Sequence, residues 1–391
     1  MDAPGVSPGR AARKEAARRT RKRRIRIGLA AAVFAAAGFL LLFGALRPRA
    51  DLSASAPASS AAPTLFAGMT PAVTPAPSAA PTLLTISAAG DVTLGGDAGG
   101  RTYAAFAGVW KKNGADYFFH NVRPIFEEDD LTIVNLEGPL TTATSHREKE
   151  FAFKGDPSYA RILASGSVEA ANLANNHAKD YYGKGLTDTA NALKKAEISP
   201  FGWGNSPVLE IKGIKVGLCG FGVWYVSVDQ LKKQVAALKK RCDLVIVSIH
   251  GGEEGEGRAT KAQRNYARAA VNAGAALVLS HHPHVVGGIE VYKGAVIAYS
   301  LGNFCFGGNL NPADKDTFIL RQTFAVDAGG VTPLETLVIP CAISGSKKKN
   351  DYQPVPLSGA DAERVLDRIE KLSKGFDTPA DLTASRARLT G

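Results

Sequence analysis

The segment ALVLSHHPH, residues 276–284, is an apolar run that ends in a cluster of histidines. The segment DLVIVSIH, residues 243–250, ends in the same way, and VEAANLANNH ends in His177. Runs of this kind are typical of strands buried in an α/β sheet, and such folds place ligand sites at the carboxyl ends of their strands. Carboxylates follow two further runs, Asp91 after TLLTISAAG and Glu137 after LTIVNL. The sequence therefore predicts that separate strands deliver metal-binding side chains to one rim.

Strand-like runs alternate with helical patterns from Leu83 onward. The helical patterns keep apolar residues at helical spacing, as in Leu186, Ala190 and Leu193. This alternation predicts βαβ units with a mainly parallel sheet. The later segments 317–326 and 335–342 favour a second packed sheet, and a final helix is expected over residues 358–374.

The N-terminal segment differs from the rest of the chain. Residues 1–26 are basic, and residues 27–46 are uncharged and apolar over about the length of helix that crosses a bilayer. Because the positive-inside rule keeps a basic flank cytoplasmic, we expect a single-pass protein of the cell membrane with an extracytoplasmic C-terminal domain. A cleavable signal peptide is the alternative, but Arg47 and Arg49 follow the apolar stretch where small residues would mark a cleavage site.

The domain boundaries follow from the composition. Residues 50–82 are nearly all Ala, Pro, Ser and Thr, which predicts an extended linker. The folded domain is expected over residues 83–345. A C-terminal loop and helix are expected over residues 346–391.

Charge and cysteine usage argue against two classes of site. The net charge of +11 comes mainly from residues 1–50, which carry twelve Lys or Arg and two acids, whereas the remainder carries 35 against 34. Nucleic-acid binding therefore has no compositional support. The four cysteines form no CxxC pair and lie in or beside apolar runs, which favours buried thiols over zinc ligands and leaves any disulfide pairing open.

Carboxylates, an amide oxygen and imidazoles together can hold one or two divalent ions. Two ions at about 3.5 to 4 Å need a bridging carboxylate, and Glu137 is the candidate. Such a pair activates a shared water, and a nearby imidazole can protonate the leaving group. Imidazoles favour Zn or Fe and oxygen ligands favour Mn or Mg, so the donor set leaves the metal open among Mn, Zn and Fe.

Seven segments carry a resemblance to the bacterial CapA family of poly-γ-glutamate capsule proteins. They occur in the family's order and spacing as AAGDVTLGGD, IVNLEGPLT, FKGDP, NLANNHAKDYYGKGL, HGGEE, GAALVLSHHPHVV and YSLGNFCFG. The resemblance runs from about Ile86 to Phe306. It implies a variant of the calcineurin-like metallophosphoesterase fold, a four-layer αββα sandwich of two sheets flanked by helices.

The resemblance also implies roles for individual residues. Asp91 matches the first metal carboxylate, Glu137 the bridging acid, and His177 the general acid of the Asn-His motif. The remaining matches to metal ligands are Asn176, His250, His282 and His284. Two further matches lie beside the site, Glu254 in the family's His-Trp-Gly-x-Glu motif and Asn303 in its Ser-Leu-Gly-Asn-Phe turn.

Other residues near these motifs receive structural interpretations. We expect His281 to be structural or to stand behind the ligands. Lys154 is a candidate to neutralise a bound anion, although a lone lysine is usually a solvated charge. Asp180 is expected to cap the helix that begins near Tyr181, because a carboxylate there accepts unpaired amide protons.

One departure from the wider superfamily bears on metal binding. That superfamily begins with Asp-x-His, whereas Thr93 holds the third position here. One metal could therefore lack a ligand or take water instead. Gly251, Ser280 and Gly287 also depart from the family pattern, which puts substrate preference in question more than metal binding.

The resemblance implies a membrane-anchored protein of poly-γ-glutamate capsule synthesis, export or attachment. Its expected partners are the lipid bilayer and the anionic polymer or its synthase subunits. A metal-dependent hydrolase is favoured, because a scaffold has no evident need for the Asn176-His177 pair. A non-catalytic scaffold of the synthase, which Thr93 favours, and a general cell-surface metallophosphatase are the alternatives.

Overall fold

The computed structural model of the chain describes residues 80–390. Three predicted segments lie outside the described residues: the cytoplasmic tail, the membrane helix over 27–46 and nearly all of the linker. Within residues 80–390, every helix is too short or too polar to cross a bilayer.

The described residues form sixteen strands and eight α-helices. The strands are β1 Thr82–Thr93, β2 Gly96–Asp97, β3 Leu131–Leu136, β4 Phe153–Lys154, β5 Ala170–Asn172, β6 Ser199–Phe201, β7 Val208–Ile211, β8 Ile214–Gly222, β9 Leu244–His250, β10 Leu277–His281, β11 Ile289–Tyr292, β12 Ala295–Ala298, β13 Asn303–Phe306, β14 Asp316–Asp327, β15 Gly330–Ala342 and β16 Val355–Pro356. The helices are α1 Arg101–Asn113, α2 Arg123–Glu127, α3 Ala160–Ser165, α4 Tyr182–Lys195, α5 Val228–Lys239, α6 Lys261–Asn272, α7 Gly359–Ser373 and α8 Thr383–Thr390.

The strands form two large sheets, which confirms the predicted mixed α/β class with a second sheet. The first sheet has the order β16-β15-β14-β1-β3-β5-β6, with β13 also paired to β1, and the second has the order β11-β12-β10-β9-β8-β7. The central strands β1, β3, β5 and β6 are parallel, as are β8, β9, β10 and β12. Parallel neighbours end at the same edge of a sheet, so each sheet has one edge that gathers the carboxyl ends of its strands.

One prediction about the second sheet was wrong. The segments 317–326 and 335–342 do form strands, β14 and β15, but these extend the first sheet. The reason is the antiparallel pairing of β14 with β1, which runs from Thr82 opposite Val326 to Ala88 opposite Leu320. The second sheet consists instead of strands β7 to β12.

The apolar runs are buried on both faces, because successive strand residues point to opposite sides. In β9, Ile246 faces the first sheet, whereas Val245 and Val247 pack against α5 and α6. In β3, Ile133 faces the second sheet and Val134 packs against α1 to α4. The layers therefore run helix, sheet, sheet, helix. Full burial of each such side chain contributes about 1.5–3 kcal/mol to stability.

Two of the helices have clear sequence signals for their starts. Ser227 begins α5 and Thr260 begins α6, each with a reciprocal capping box to a glutamine three residues later. The helix expected over residues 358–374 is present as α7, Gly359–Ser373, but it is not the final one, because α8 Thr383–Thr390 follows it. Val365 and Ile369 of α7 join the apolar layer between the two sheets.

Candidate metal centre

The apolar layer between the sheets becomes polar where the parallel strands end. Ile133 is followed on the same face of β3 by Asn135, and Ile246 is followed on the same face of β9 by Ser248 and then His250. All three polar side chains are buried. Since both sheets contribute such ends, acids from one sheet meet imidazoles from the other.

The backbone at this edge is specialised. Asp91 N donates to Gly302 O at 2.9 Å. A Cβ atom on Gly90 would lie 2.0 Å from the same oxygen, so only glycine fits before Asp91. His282 and His284 have φ angles of 100° and 59°. Such angles are uncommon for residues with a side chain and cluster at functional sites.

Glu137 lies at the centre of the cluster. Its side chain is fully buried, and neither carboxylate oxygen has a hydrogen-bond partner within the described residues. Oε1 lies 3.4 Å from His250 Nε2, and Oε2 lies 3.9 Å from His284 Nδ1. An unpaired buried carboxylate is costly unless a cation balances it. This observation makes the donor set suitable for a metal ion.

Two groups of possible ligands share Glu137. One comprises Glu137, His282 and His284, and the other comprises Asp91, Glu137 and His250. In each group the ligand atoms lie within 4.8 Å of one another. The Nδ1 atom of His282 is also buried without a hydrogen-bond partner in the described part of the chain. A carboxylate common to two groups has the position that a bridging ligand requires.

Asp91 is held by contacts on both of its oxygens. Oδ1 accepts from Asn135 Nδ2 at 2.8 Å and lies 3.2 Å from His281 Nδ1. Oδ2 accepts from the backbone N–H of His282 at 3.2 Å and lies 3.3 Å from His284 Nδ1. His281 therefore stands beside Asp91 and outside both ligand groups. Although burial raises the pKa of Asp91, the imidazoles of His281 and His284 bring it well below its ordinary value.

The two carboxylates hold a proton on His284. Burial alone would lower the pKa of His284, but the negative charges of Glu137 and Asp91 raise it to about 10. Burial raises the pKa of Glu137, but the charge of His284 outweighs it and lowers the pKa to about 2. His282 behaves differently, because burial and the neighbouring His250 lower its pKa to about 4. The protonated His284 thus supplies positive charge between two buried acids.

Asn176 and Asn303 each contact one of the imidazoles. Asn176 Oδ1 lies 2.7 Å from His250 Nε2, which brings an amide oxygen to the group of Asp91, Glu137 and His250. Asn303 Oδ1 lies 3.0 Å from His284 Nδ1, and Asn303 Nδ2 donates to the carbonyl of His284 at 3.2 Å. Asn303 therefore fixes both the ring and the backbone of His284.

His177 lies outside both ligand groups and belongs to a separate buried pair. Its Nδ1 is 2.7 Å from Asp180 Oδ2, and its ring stacks on Phe153 at 4.2 Å between centroids. Lys149 Nζ donates to Asp180 Oδ1 at 2.8 Å and lies 3.2 Å from His177 Nδ1. With Nδ1 engaged, Nε2 is the ring nitrogen available to a ligand.

The predicted helix-capping role of Asp180 was wrong. The helix α4 has Tyr181 as its N-cap residue, without a side-chain cap hydrogen bond. The Asp180 carboxylate is fully buried and is occupied by Lys149, by the backbone N–H of Phe153 and by His177. Because its carboxylate makes these contacts with a distant segment, Asp180 does not cap α4.

The other predicted residues lie at the periphery. Lys154 Nζ donates to Ala143 O at 2.6 Å and lies 5.1 Å from the ring centre of Tyr181. Glu254 is exposed, and its charge is among those that raise the pKa of His284. At Thr93, the hydroxyl is buried without a hydrogen-bond partner among residues 80–390. All four cysteines are buried free thiols, as the sequence predicted.

Asn135 was missed by sequence reasoning. Its Oδ1 accepts from Asn172 Nδ2 at 2.9 Å and from Asn175 Nδ2 at 3.3 Å, while its Nδ2 contacts Asp91 and lies 3.2 Å from His250 Nδ1. A polar residue inside the otherwise apolar run LTIVNL was the available signal. No comparable signal marked Lys149, which lies in a polar loop.

Comparison with known proteins identifies similar chains. The family described as "Bacterial capsule synthesis protein PGA_cap" matches residues 85–308. The chain is 30% identical to the "Capsule biosynthesis protein CapA" of Bacillus anthracis over 324 residues, which is 75% of this chain and 74% of that protein. It is 32% identical to the "PGA biosynthesis protein CapA" of Bacillus subtilis (strain 168) over 223 residues, 51% of this chain. That match covers 59% of the Bacillus subtilis protein, less than two thirds of its length.

Among solved structures, the chain is similar to one described as a novel phosphatase from Mycoplasma pneumoniae. The sequence identity is 18% and the TM-score is 0.41. The match covers 67% of this chain and 94% of that one.

Proposed function

The chain belongs to the PGA_cap family of bacterial capsule synthesis proteins, and from this premise we propose that it acts in poly-γ-glutamate capsule synthesis, export or attachment through a metal-dependent hydrolase site. The observation that carries the proposal is the buried Glu137 carboxylate, whose oxygens have no hydrogen-bond partner in the described residues and lie near His250 and His284. A buried carboxylate of this kind needs positive charge beside it, which a bound divalent ion would supply in place of the proton on His284.

The residues that would hold one or two divalent ions are Asp91, Glu137, Asn176, His250, His282 and His284. A divalent ion bound there supplies a Lewis acid and an activated water near neutral pH. The mixed oxygen and nitrogen donors suit Mn, Zn or Fe. We assign the domain that carries this site to the metallophosphoesterase type of four-layer sandwich.

The chain's own residues supply the proton transfer. Asp180 holds His177 through Nδ1 and would stabilise the positive charge of its imidazolium form. His177 can then donate a proton from Nε2 to a departing oxygen or nitrogen. Asn135 and the backbone of His282 fix the orientation of Asp91.

A non-catalytic role in the polymer synthase complex is the second candidate. Thr93 favours it, because its buried hydroxyl, which has no hydrogen-bond partner among residues 80–390, occupies the position where the wider superfamily has a histidine. In that case the fold would bind polymer or synthase subunits whether or not it holds metal.

The location is also a proposal, supported by the sequence alone. Residues 27–46 would anchor the chain in the cell membrane, with the basic residues 1–26 in the cytoplasm and the remainder outside. Protease treatment of intact cells tests it. Digestion of the C-terminal domain without lysis is expected, and protection until lysis would contradict it.

The test of the hydrolase role uses the purified full chain loaded with Mn, Zn or Fe. Turnover is measured on phosphoesters and on γ-glutamyl polymer for the wild type, for His177→Ala and for a matched control, His120→Ala, which alters an exposed histidine. We expect His177→Ala to lose about 10²–10⁴-fold in rate. Equal turnover in His177→Ala would remove the proposed acid. Turnover of phosphoesters alone would indicate a general phosphatase, and no turnover of any compound would favour the scaffold.

A further inference from the structure

Exposed aromatic residues are concentrated around the metal centre. Six large apolar side chains are exposed within residues 80–390, and four of them are aromatic: Phe151, Tyr182, Trp224 and Tyr225. Phe151 stacks near Phe153, which in turn contacts His177. Isolated exposed apolar residues need no explanation, whereas a group of them beside a functional site indicates an interaction surface.

Three of the rings near the site form a continuous series, here called the aromatic row: Trp203, Tyr225 and Trp224. The ring centres of Trp203 and Tyr225 are 4.7 Å apart, and those of Tyr225 and Trp224 are 6.3 Å apart. Trp224 meets the ring of His282 edge-on at 4.8 Å. The aromatic row therefore begins at a proposed metal ligand and extends away from it.

The aromatic row is held in place by hydrogen bonds. Trp203 Nε1 donates to Leu173 O at 2.7 Å. The hydroxyl of Tyr266 lies 2.8 Å from Val226 O, which fixes the loop that carries Trp224 and Tyr225. A preformed surface loses little conformational entropy when it binds a ligand.

Two basic residues, here called the cationic pair, lie on the same side: Arg147 and Lys179. Lys179 Nζ lies 3.6 Å from the ring centre of Trp203, and the Arg147 guanidinium lies 5.5 Å from that of Tyr182. Arg147 Nε donates to Lys179 O at 3.1 Å, which joins the two. Burial raises the pKa of Tyr225 and the charge of Arg147 opposes this, so Arg147 also lies near the aromatic row. The side chains of the cationic pair contact aromatic rings, and that of Arg147 also donates to a backbone carbonyl.

An acidic loop also lies near the centre. Glu253, Glu254 and Glu256 are exposed on the loop that follows β9, and the charge of Glu254 acts on His284. An extended anion that reaches the centre would be repelled by this loop and attracted by the cationic pair.

We propose that the aromatic row and the cationic pair bind an extended polycarboxylate chain that reaches the metal centre from this side. The inference rests on the proposed function and deepens it. A γ-linked glutamate repeat alternates one carboxylate with two methylene groups and an amide. The methylene and amide groups would lie along the exposed rings of Trp224 and Tyr225, and the carboxylates would pair with Arg147 and Lys179.

A membrane surface is the competing occupant, because tryptophan, tyrosine and basic residues also favour bilayer interfaces. The polymer fits better, since the aromatic row contacts the imidazole of His282 and its rings pack against one another. A surface that inserts into lipid has no need of contact with a metal ligand.

The test measures binding of poly-γ-glutamate to the purified full chain in neutral detergent by calorimetry. The test variant combines Arg147→Met with Lys179→Met, which keeps most of the apolar stem of each side chain and removes both charges. The matched control combines Lys195→Met with Lys240→Met. Both lysines are exposed at the ends of α4 and α5, helices that connect parallel strands, so they lie at the sheet edge away from the site.

We expect the test variant to bind the polymer about tenfold more weakly and with less dependence on salt, and the control to bind like the wild type. A second variant, Trp224→Leu, should weaken binding about threefold, and that loss should persist at high salt because it removes a ring contact and leaves the charges. Thermal unfolding midpoints equal to that of the wild type show that each variant is folded.

The outcomes separate this inference from the proposed function. If the wild type binds the polymer and the test variant binds it equally well, the proposed binding surface is wrong and the capsule role stands. If the wild type does not bind the polymer, both the role in polymer handling and the proposed binding surface are overturned. If brominated phosphatidylglycerol in vesicles that hold the anchored chain quenches tryptophan fluorescence, Trp224→Leu removes that quenching and the test variant keeps its polymer affinity, the surface faces a membrane and the proposed binding surface is overturned.

Discussion

The carboxylate of Asp180 lies 2.7 Å from Nδ1 of His177, and both side chains are buried beside the candidate metal centre. The same carboxylate accepts hydrogen bonds from Lys149 and from the backbone of Phe153. Because a carboxylate only accepts hydrogen bonds, it selects the form of His177 that carries a proton on Nδ1. A neutral His177 then presents an unprotonated Nε2, and the imidazolium presents a proton there.

Replacing Asp180 by asparagine is expected to lower hydrolytic turnover by about a hundredfold or more. The amide group can donate to Nδ1 and select the wrong tautomer of His177. Metal content should stay at the wild-type value, since His177 lies outside both ligand groups. Steady-state kinetics and elemental analysis on the same sample check both statements. The control is Lys149→Met, which removes the ion pair of Lys149 with Asp180 and keeps the Asp180 carboxylate. If it lost as much turnover as Asp180→Asn, the tautomer argument would be contradicted.

Glu137→Gln is expected to remove most of the bound metal. The substitution keeps the shape of the side chain and removes the negative charge that both ligand groups share. Elemental analysis after dialysis against Mn or Zn measures the loss. Glu210→Gln, at an exposed position in β7, is the matched control and should keep the wild-type content. Full occupancy in Glu137→Gln would exclude Glu137 as a bridging ligand.

Metal affinity is expected to rise about tenfold per pH unit between pH 6 and 9. The pKa of His284 is raised to about 10, so this residue must lose a proton before it can bind an ion in that range. Glu137, with a pKa of about 2, and His282, with a pKa of about 4, already have their metal-binding forms. Calorimetry in two buffers of different ionisation enthalpy should report about one proton released per ion. Zero release would contradict a ligand role for His284.

Asp316→Asn is expected to lower the free energy of unfolding by about 1–3 kcal/mol at pH 7. Asp316 accepts from Arg364 at 2.6 and 2.8 Å and from Arg368 at 2.9 Å, which ties β14 to α7. Although burial raises the pKa of Asp316, the two arginines bring it below its ordinary value of 3.8.

The lowered pKa fixes the sign of the pH dependence. The folded form favours the ionised carboxylate, so Asp316 stabilises the protein above pH 3.8, and the contribution disappears as pH falls through the lower folded-state value. Urea unfolding at a series of pH values should show the two proteins converging only in acid. Asp229→Asn, in an exposed ion pair at 3.6 Å, should change stability by less than about 0.5 kcal/mol. A constant difference across the pH range would contradict the assignment to charge.

The site's location follows from a local property of the sequence, which is why sequence reasoning reached it. Asp91, Glu137 and His250 each end an apolar run, and parallel strands bring such ends to one edge. The pairing of Asp180 with His177 and Lys149 did not follow, because it depends on where the segment before Phe153 folds back. The same reason applies to β14, whose choice of sheet is set by its pairing with β1. In both cases the unpredicted contact joins segments that are distant in the sequence.

The two carboxylates are attached to the first sheet, and the imidazoles that face them are attached to the second. The apolar layer between the sheets includes Ile133 and Leu279. Its thickness therefore sets the distance between the carboxylates and the imidazoles. Interiors are packed closely enough that the loss of one methyl group shifts its neighbours. Substitutions remote from the possible ligands could therefore alter which ion fits between them, while every one of those ligands stays the same. Metal selectivity at such a site would depend in part on the packing between the two sheets.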